Sequence, residues 1–246
     1  MNLGEIYKLI NFITSKEQSG NTFSPLEFNS TIKYIVQLLY NEEIDHFAET
    51  GSIGDILSPY MVEMGGMNAP LSVDVNGIAV TPQDYQDKIS MFYKDNFDNR
   101  PVIMLDDKSV FDNLLSGTLK KPTHKHPTCV FLNAYIKFAP IDLQFVDFTY
   151  FKKVETPVFD YYFDSNGEFI YLPQGMSYTL KAGEEGSQGQ TTGVVKSLSI
   201  ELLMPDKIHV KIVSKLLSVI GINLSNADIV NYSELMQKKE NTPTKA

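Results

Sequence analysis

The sequence contains very little arginine, which narrows the kinds of ligand that it can hold tightly. Of its 21 Lys and Arg residues only Arg100 is an arginine, and 30 Asp and Glu residues give a formal net charge of −9. Proteins that bind phosphates or read base edges favour arginine, because its guanidinium group forms paired hydrogen bonds. An AT-rich coding genome also replaces arginine with lysine, so this composition supports, without deciding, the exclusion of tightly bound nucleic acid.

Cysteine and long apolar runs are scarce as well. Cys129 is the single cysteine, which excludes an intrachain disulfide and suits a reducing compartment. No run approaches the roughly twenty apolar residues that a membrane-spanning helix needs. Residues 1–6 lack the basic and apolar regions of a signal peptide. We therefore expect a protein that is neither exported by a recognisable signal nor embedded in a membrane.

The chain is long enough, and apolar enough, to bury a core. It has 246 residues, of which 43% are hydrophobic, as in one large globular domain or two small ones. Helical patterns come first, strand patterns follow and helical patterns return. This order predicts an α+β fold in which N- and C-terminal helices form a bundle beside a central antiparallel β domain.

The same order predicts the domain boundaries. Residues 1–117 with 198–237 form a helical assembly domain in this interpretation, and residues 118–197 form a β-rich domain that carries a Gly-rich arm at 181–197. Residues 238–246 are polar and are predicted to be a disordered tail.

Several predicted helices carry clear start and stop signals. Ser24 and Glu27 form a capping-box pattern around Pro25, and Gly221 stands where a left-handed residue ends a helix. A similar pattern at Val80–Tyr85 predicts a further helix start. The predicted helices are 3–15, 25–49, 82–97, 107–116, 206–220 and 226–237.

Alternating apolar residues predict strands in the middle of the chain. Residues 128–138 are typical of one half-buried strand, and Asp164-Ser165-Asn166-Gly167 is typical of a hairpin turn. The other predicted strands, in an antiparallel sheet, are 142–151, 158–163 and 168–172. Residues 51–70 are predicted to be a long loop and so a candidate contact surface.

Three residues suggest metal chemistry. His124, His126 and Cys129 place two imidazoles and a thiol within six positions, a set that can ligate zinc in a hydrolase. No second pair with zinc-finger spacing follows, so a loop that enters a strand is the favoured alternative. His46 and His209 stand alone in helical patterns and are predicted to be surface or boundary residues. We therefore predict no metal, no cofactor and no catalytic residues.

Two carboxylate pairs have structural alternatives to acid–base catalysis. Asp106 and Asp107 lie at the N-terminus of a predicted helix, where the helix dipole favours negative charge. Glu184 and Glu185 lie in a polar segment and are predicted, like the first pair, to be structural or solvated.

The segment 181–197 is rich in glycine, yet it lacks the Gly-Lys-Ser/Thr ending of a phosphate-binding loop. Two interpretations remain open: a mobile connection, or an arm that orders against a neighbouring subunit. In the second case the candidate interface residues are Gly183, Glu184, Glu185, Gly186, Gln188, Gly189, Thr191 and Thr192.

Several stretches of the chain resemble structural proteins of crAss-like and related Bacteroidetes phages, especially the neck ring or head-to-tail connector group. The stretches that carry this resemblance are 13–28, 120–127, 148–157, 189–201 and 208–232, the last with Ile220-Gly221-Ile222-Asn223-Leu224 at its centre. They are spread over most of the chain, and the similarity is one of pattern, without a catalytic motif.

The resemblance implies a non-enzymatic virion subunit that assembles with copies of itself into a closed ring of about twelve subunits around the portal axis. Its implied partners are the portal protein and adjacent neck or tail ring proteins, with phage DNA passing only transiently through the channel. The alternatives are another tail or cargo protein of the virion, or a metal-dependent hydrolase.

Overall fold

The computed structural model describes residues 1–17, 23–66, 68–95, 98–117, 121–221, 228–229 and 231–232. It divides into two compact units: residues 1–59 with 154–246 form the first, and residues 60–153 form the second. Helices and several sheets occur together, so the predicted α+β class is confirmed.

Four helices lie in the described residues. They are α1 (Leu3–Glu17), α2 (Pro25–Thr50), α3 (Lys108–Ser116) and α4 (Asp206–Val219). All four were predicted, with ends that differ by one or two residues. Most of the predicted helix 226–237 and the whole tail 238–246 lie outside the described residues. None of the described helices is long and apolar enough to cross a membrane.

The strands outnumber the helices. In chain order they are β1 (Met61–Met64), β2 (Leu71–Ser72), β3 (Ile78–Val80), β4 (Tyr85–Asp95), β5 (Asp98–Pro101), β6 (Ile103–Leu105), β7 (Thr128–Phe131), β8 (Tyr135–Ala139), β9 (Phe145–Lys152), β10 (Tyr161–Phe163), β11 (Phe169–Tyr171), β12 (Ser177–Thr179), β13 (Glu185–Gly186) and β14 (Val194–Lys196).

The caps predicted for α2 and α4 are present. The Ser24 hydroxyl accepts from the Glu27 amide while the Glu27 carboxylate accepts from the Ser24 amide, and the Phe23 and Phe28 rings meet edge to face at 6.4 Å. Gly221 follows α4 with a φ of 88°, a conformation that costs glycine little. These local signals therefore set the helix ends as the sequence predicts.

In the first unit, α4 contacts both α1 and α2. Its apolar face includes Ile212, Val213, Leu216 and Leu217, all buried. The lysines at 207, 211 and 215 recur at four-residue spacing and pair with acids of the same unit. Their partners are Asp55 for Lys207, Glu43 for Lys211 at 4.0 Å and Glu42 for Lys215 at 2.6 Å.

Two small sheets complete the first unit. One has the order β11-β10-β13 and the other pairs β12 with β14, all antiparallel. Leu172, Leu180 and Val195 form a buried cluster beside Tyr162 and Tyr178. The rings of Tyr162 and Tyr178 stack with their centroids 4.2 Å apart.

The second unit contains a five-stranded sheet and a four-stranded sheet. The first has the order β1-β9-β4-β5 with β2 also paired to β9, and the second has the order β3-β8-β7-β6. Both contribute to one core that includes Met91, Cys129, Phe138 and Phe148. The pairing of β6 with β7 is parallel, so the prediction of a purely antiparallel sheet is wrong at that point.

The predicted helix 82–97 is wrong, because most of it is strand β4. Register shifts between Tyr85 and Asp87 and between Lys88 and Ser90 interrupt its pairing with β9. Each shift adds a residue to one strand. The positions opposite the core side of β9 therefore fall at 85, 88, 91 and 93 instead of at every second residue, so the segment lacks the alternation by which a strand is recognised.

The prediction of a single strand at 128–138 is also wrong. These residues form a hairpin of β7 and β8, in which Phe131 lies opposite Ile136 and the backbones of Leu132 and Tyr135 exchange hydrogen bonds. Residues 51–70 contain the 3-10 turn Ser58–Tyr60 and strand β1, so they are not one long loop.

The predicted domain boundaries at 117/118 and 197/198 do not coincide with the two units. The physical reason is strand pairing: β1, β2 and β4, expected in a helical domain, all pair with β9. Residues 154–197, expected in the β domain, fold instead with the first unit, where the Asn29 side chain exchanges hydrogen bonds with the backbone of Phe159.

Two turns share the sequence Asp-x-Asn-Gly, and the one at 164–167 closes the hairpin of β10 and β11. In each turn the aspartate carboxylate accepts hydrogen bonds from the backbone amides two and four residues later. The two distances are 2.9 and 2.8 Å for Asp74, and the same for Asp164. These bonds lower the pKa of both aspartates, since they favour the ionised carboxylate. The predicted turn at 164–167 is confirmed, and the one at 74–77 was not recognised.

The start of α1 depends on a close approach at Gly4. A Cβ atom on Gly4 would lie 2.8 Å from Tyr171 Cγ. The Tyr171 ring cannot easily move away, because it stacks on Phe159 at 5.0 Å and its hydroxyl donates to Glu201. Glu201 also accepts a hydrogen bond from the Leu3 amide at 3.0 Å, so it caps the first turn of α1.

We expect Gly4→Ala to lower the free energy of unfolding by about 1–3 kcal/mol, because the added methyl group overpacks this contact. Helix propensity alone predicts the opposite sign, a gain of up to about 1 kcal/mol. Urea unfolding followed by far-UV circular dichroism measures the difference. Gly117→Ala is the matched control, since Gly117 has a φ of −69° and only ordinary contacts. A Gly4→Ala protein as stable as the wild type would contradict the packing argument.

Candidate functional site

The structure does not bring the three predicted zinc ligands together. Cys129 is buried in β7, where its thiol lies 3.8 Å from the Met91 sulfur. His124 Nε2 lies 2.9 Å from Asp142 Oδ2, and the backbone of His126 closes a turn with Thr123. Among the described residues, no group of three His, Cys, Asp or Glu side chains is placed to hold a metal ion.

We expect the Cys129 thiol to be unreactive in the folded chain. Burial raises its pKa to about 12, and the thiolate is the reactive form, so only about one thiol in 10⁴ is ionised at pH 8. Labelling by a disulfide reagent should be slower by about a hundredfold or more in buffer than in urea, and a chelator should leave the native rate unchanged. Rapid stoichiometric labelling of the native chain, or a faster rate after chelation, would revive the zinc hypothesis.

The two isolated histidines have different environments. His46 is exposed on α2, as predicted, but His209 is only 3% exposed. Its Nε2 lies 3.1 Å from the Met204 carbonyl oxygen and its Nδ1 lies 3.2 Å from Asp206 Oδ1. Burial lowers the pKa of His209 despite the nearby carboxylate of Asp206. The prediction of a surface or boundary position for His209 is therefore wrong, because the side chain is buried in the first turn of α4.

The carboxylate pairs take up structural roles. Asp107 caps α3 by accepting from the Ser109 amide at 2.7 Å, as the helix-start pattern predicts, and Asp106 pairs with Lys88. Of the two predicted alternatives, structural or solvated, Glu184 takes the structural one, since it is only 8% exposed. Its carboxylate accepts from the Lys181 amide at 2.7 Å and from the Tyr178 hydroxyl at 3.1 Å.

The Gly-rich segment is folded against its own chain. Strand β13 pairs with β10, and β14 pairs with β12. Of the candidate interface residues, Glu184 and Gly186 are buried within the chain, which corrects their expected accessibility. The exposed ones are Gly183, Glu185, Gln188, Gly189, Thr191 and Thr192. A mobile connection is therefore the wrong description of the whole segment.

The buried side chain of Asp160 holds this segment in place through hydrogen bonds. Its side chain is buried and accepts from the Ser187 hydroxyl at 2.5 Å, the Leu198 amide at 2.8 Å and the Tyr161 amide at 3.0 Å. Its own amide donates to the Ser199 hydroxyl at 2.9 Å. One carboxylate thus joins β10 to the interior of the segment at Ser187 and to the residue that follows it, Leu198, a role that sequence patterns did not indicate.

We expect Asp160→Ala to lower the free energy of unfolding by about 1–3 kcal/mol, because buried amides lose their acceptor. The substitution should also make the peptide bonds around Gly189 accessible to protease. Ser187→Ala removes one of the three hydrogen bonds and should cost less, about 1 kcal/mol. Urea unfolding and limited proteolysis measure both effects. Equal losses in the two variants would show that Asp160 is not the centre of this network.

The second unit contains an open cleft of about 460 Å³ at one end of its five-stranded sheet. Strand β4 contributes Tyr93 and Lys94, and β9 contributes Phe145 and Asp147. The loop before β9 and the loop that follows β1 supply the remaining walls. Those loop residues are Gly66, Asn68, Pro70, Asp142 and Gln144.

One ion pair and one histidine–carboxylate contact arrange the polar groups of the cleft. Lys94 Nζ lies 3.1 Å from Asp147 Oδ2. Asp142 pairs with His124, whose ring lies 5.8 Å from that of Tyr93. Gly65 packs against Asp147 so closely that a Cβ atom there would lie 2.8 Å from Asp147 Cβ. The acid is therefore held in position from two sides.

Sequence reasoning singled out His124, which contacts the lining residue Asp142, but it missed the lining of the cleft itself. Tyr93 and Lys94 fell in the segment that was wrongly predicted to be a helix, and Asp142, Phe145 and Asp147 were treated only as strand residues. The two bulges of β4 concealed the signal, because they interrupt the alternation of side chains that marks a strand.

A scan against protein-family models finds no match to the chain, and a search of curated proteins finds no significantly similar sequence.

Proposed function

We propose that this chain is a virion structural protein, a subunit of a ring-forming head-to-tail connector that is stacked beneath the portal and surrounds the DNA channel. The sequence resemblance to phage neck proteins supports this function. The structural observation that supports it best is an exposed strand within the Gly-rich segment, because ring closure needs a surface that can pair with a second copy.

Strand β14 supplies that surface in the proposal. Val195 is buried against Leu172 and Leu180, whereas Val194 is 63% exposed on the opposite face. In the described part of the chain β14 pairs with β12 alone, so its other edge presents backbone donors and acceptors. A strand from a neighbouring subunit can add to such an edge. The exposed residues from Gln188 to Thr192 flank it.

The helices of the first unit supply a rigid body for the ring. We propose that α1, α2 and α4 act as the helical bundle of an assembly domain. The contacts of α4 with α1 and α2, and the ion pairs of Lys211 and Lys215 with α2, support this arrangement. Surface ion pairs contribute little stability each, so buried apolar residues such as Ile212 and Leu216 carry most of it.

The distribution of charge agrees with a channel through which DNA passes without being held. The first unit carries nineteen acidic and eleven basic residues, whereas residues 60–153 carry eleven and ten. A surface of net negative charge repels DNA, which favours sliding over binding. The portal protein and neighbouring neck or tail proteins are the proposed partners, and the proposed location is the virion.

We expect the purified chain to form closed rings of one size and the double variant Thr192→Lys with Val194→Lys to remain monomeric. Two added lysines per subunit place like charges across the proposed strand pairing. Sedimentation velocity and negative-stain electron microscopy measure the assembly, and circular dichroism confirms that the variant is folded.

Val80→Lys is the matched control, because Val80 is 75% exposed on the edge strand β3 in the other unit. Normal rings from the double variant would reject β14 as the interface. Open filaments or a small fixed oligomer would favour another tail or cargo protein, and a wild-type chain that stays monomeric at high concentration would oppose the connector proposal.

A further inference from the structure

The cleft at the end of the five-stranded sheet has the features of a ligand site rather than of a packing defect. Its volume of about 460 Å³ falls in the range of small-molecule sites, about 300–1,000 Å³. Its walls come from two strands and two loops. Several of its side chains are held in place by contacts with each other before any ligand arrives.

The positions of these side chains are set by specific bonds. Lys94 and Asp147 hold each other at 3.1 Å, and Asp142 is held by His124 at 2.9 Å. The Asn68 amide nitrogen donates to the Glu63 carbonyl oxygen at 3.0 Å, which leaves its own carbonyl oxygen outside that bond. Polar groups fixed in this way lose little freedom when they bind a ligand.

The charges of the cleft argue against an ionic ligand. Lys94 is matched by Asp147, so an anion gains no unopposed positive charge there. The cleft is also poorly suited to a metal cation, because the described residues contain no group of three His, Cys, Asp or Glu side chains that could ligate one. The carboxylates still accept hydrogen bonds, while the ammonium group of Lys94 and the amide of Gln144 still donate them.

The aromatic residues complete the description. Phe145 is 55% exposed on β9, and Tyr93 is a second aromatic residue of the lining, partly buried against the core. A saccharide ring has an apolar face of C–H groups that packs on an aromatic ring, and an edge of hydroxyl groups that both donate and accept. An exposed aromatic ring beside carboxylate, amide and ammonium groups matches both surfaces.

We propose that this cleft binds a neutral saccharide, with Phe145 packing against the face of one sugar ring and Asp142, Gln144 and Asp147 hydrogen-bonding its hydroxyl groups. This activity goes beyond the proposed connector function and does not depend on it. It gives the second unit a role in recognition, whether or not the first unit closes into a ring.

The full-length chain is titrated with lactose, maltotriose and mannotriose, which present different hydroxyl orientations, and with inorganic phosphate as the ionic comparison. Saturation-transfer NMR detects contact and calorimetry measures affinity. We expect at least one of the saccharides to bind with a dissociation constant of about 1 mM or below, and phosphate not to compete. Binding of phosphate alone, or of none of the four probes, would overturn the proposal.

Two variants locate the binding. Phe145→Ala removes an exposed ring and should weaken saccharide binding about tenfold or more, and Asp142→Asn, which keeps the shape of the side chain, should weaken it about threefold or more. Phe169→Ala is the control, since Phe169 is an exposed aromatic residue of the other unit. Unchanged affinity in Phe145→Ala, or an equal loss in Phe169→Ala, would place the ligand elsewhere and reject the cleft.

Discussion

The fold of the first unit depends on one buried carboxylate. Asp160 receives hydrogen bonds from β10, from the Gly-rich segment at Ser187 and from the chain beyond β14 at Leu198. Short strands have little apolar surface with which to hold each other, so a shared acceptor supplies the order that a larger core would otherwise give. The Gly-rich segment can therefore be polar on its surface and still have a defined shape.

The second unit obtains its order in a different way. Strand β9 lies at the centre of the five-stranded sheet and pairs with β1, β2 and β4. Its residues Val146, Phe148 and Tyr150 face the core, and its opposite face presents Phe145 and Asp147 to the cleft. One strand thus contributes to both the core and the cleft, because alternate side chains point to opposite faces of a sheet.

How far the sequence predicts this structure depends on the range of the interactions involved. The caps at Ser24 and Asp107 and the left-handed Gly221 involve residues within a few positions of each other, and these predictions were correct. Strand β4 was mistaken for a helix because its bulges depend on pairing with β9, about sixty residues later in the chain. The cleft escaped prediction for the same reason, since its lining is assembled from β4, β9 and two separate loops.

The order of the two units along the chain affects how the protein is made. Residues 60–153 are inserted between the two parts of the first unit, and α1 and α2 are covered by α4, which begins at Asp206. During synthesis the inserted unit is complete once β9 has left the ribosome, whereas the first two helices emerge with their apolar faces still uncovered. They stay exposed while more than 150 further residues are translated. The nascent chain is therefore most open to mispairing and to chaperones at its oldest end, which is the last part of the molecule to find its partners.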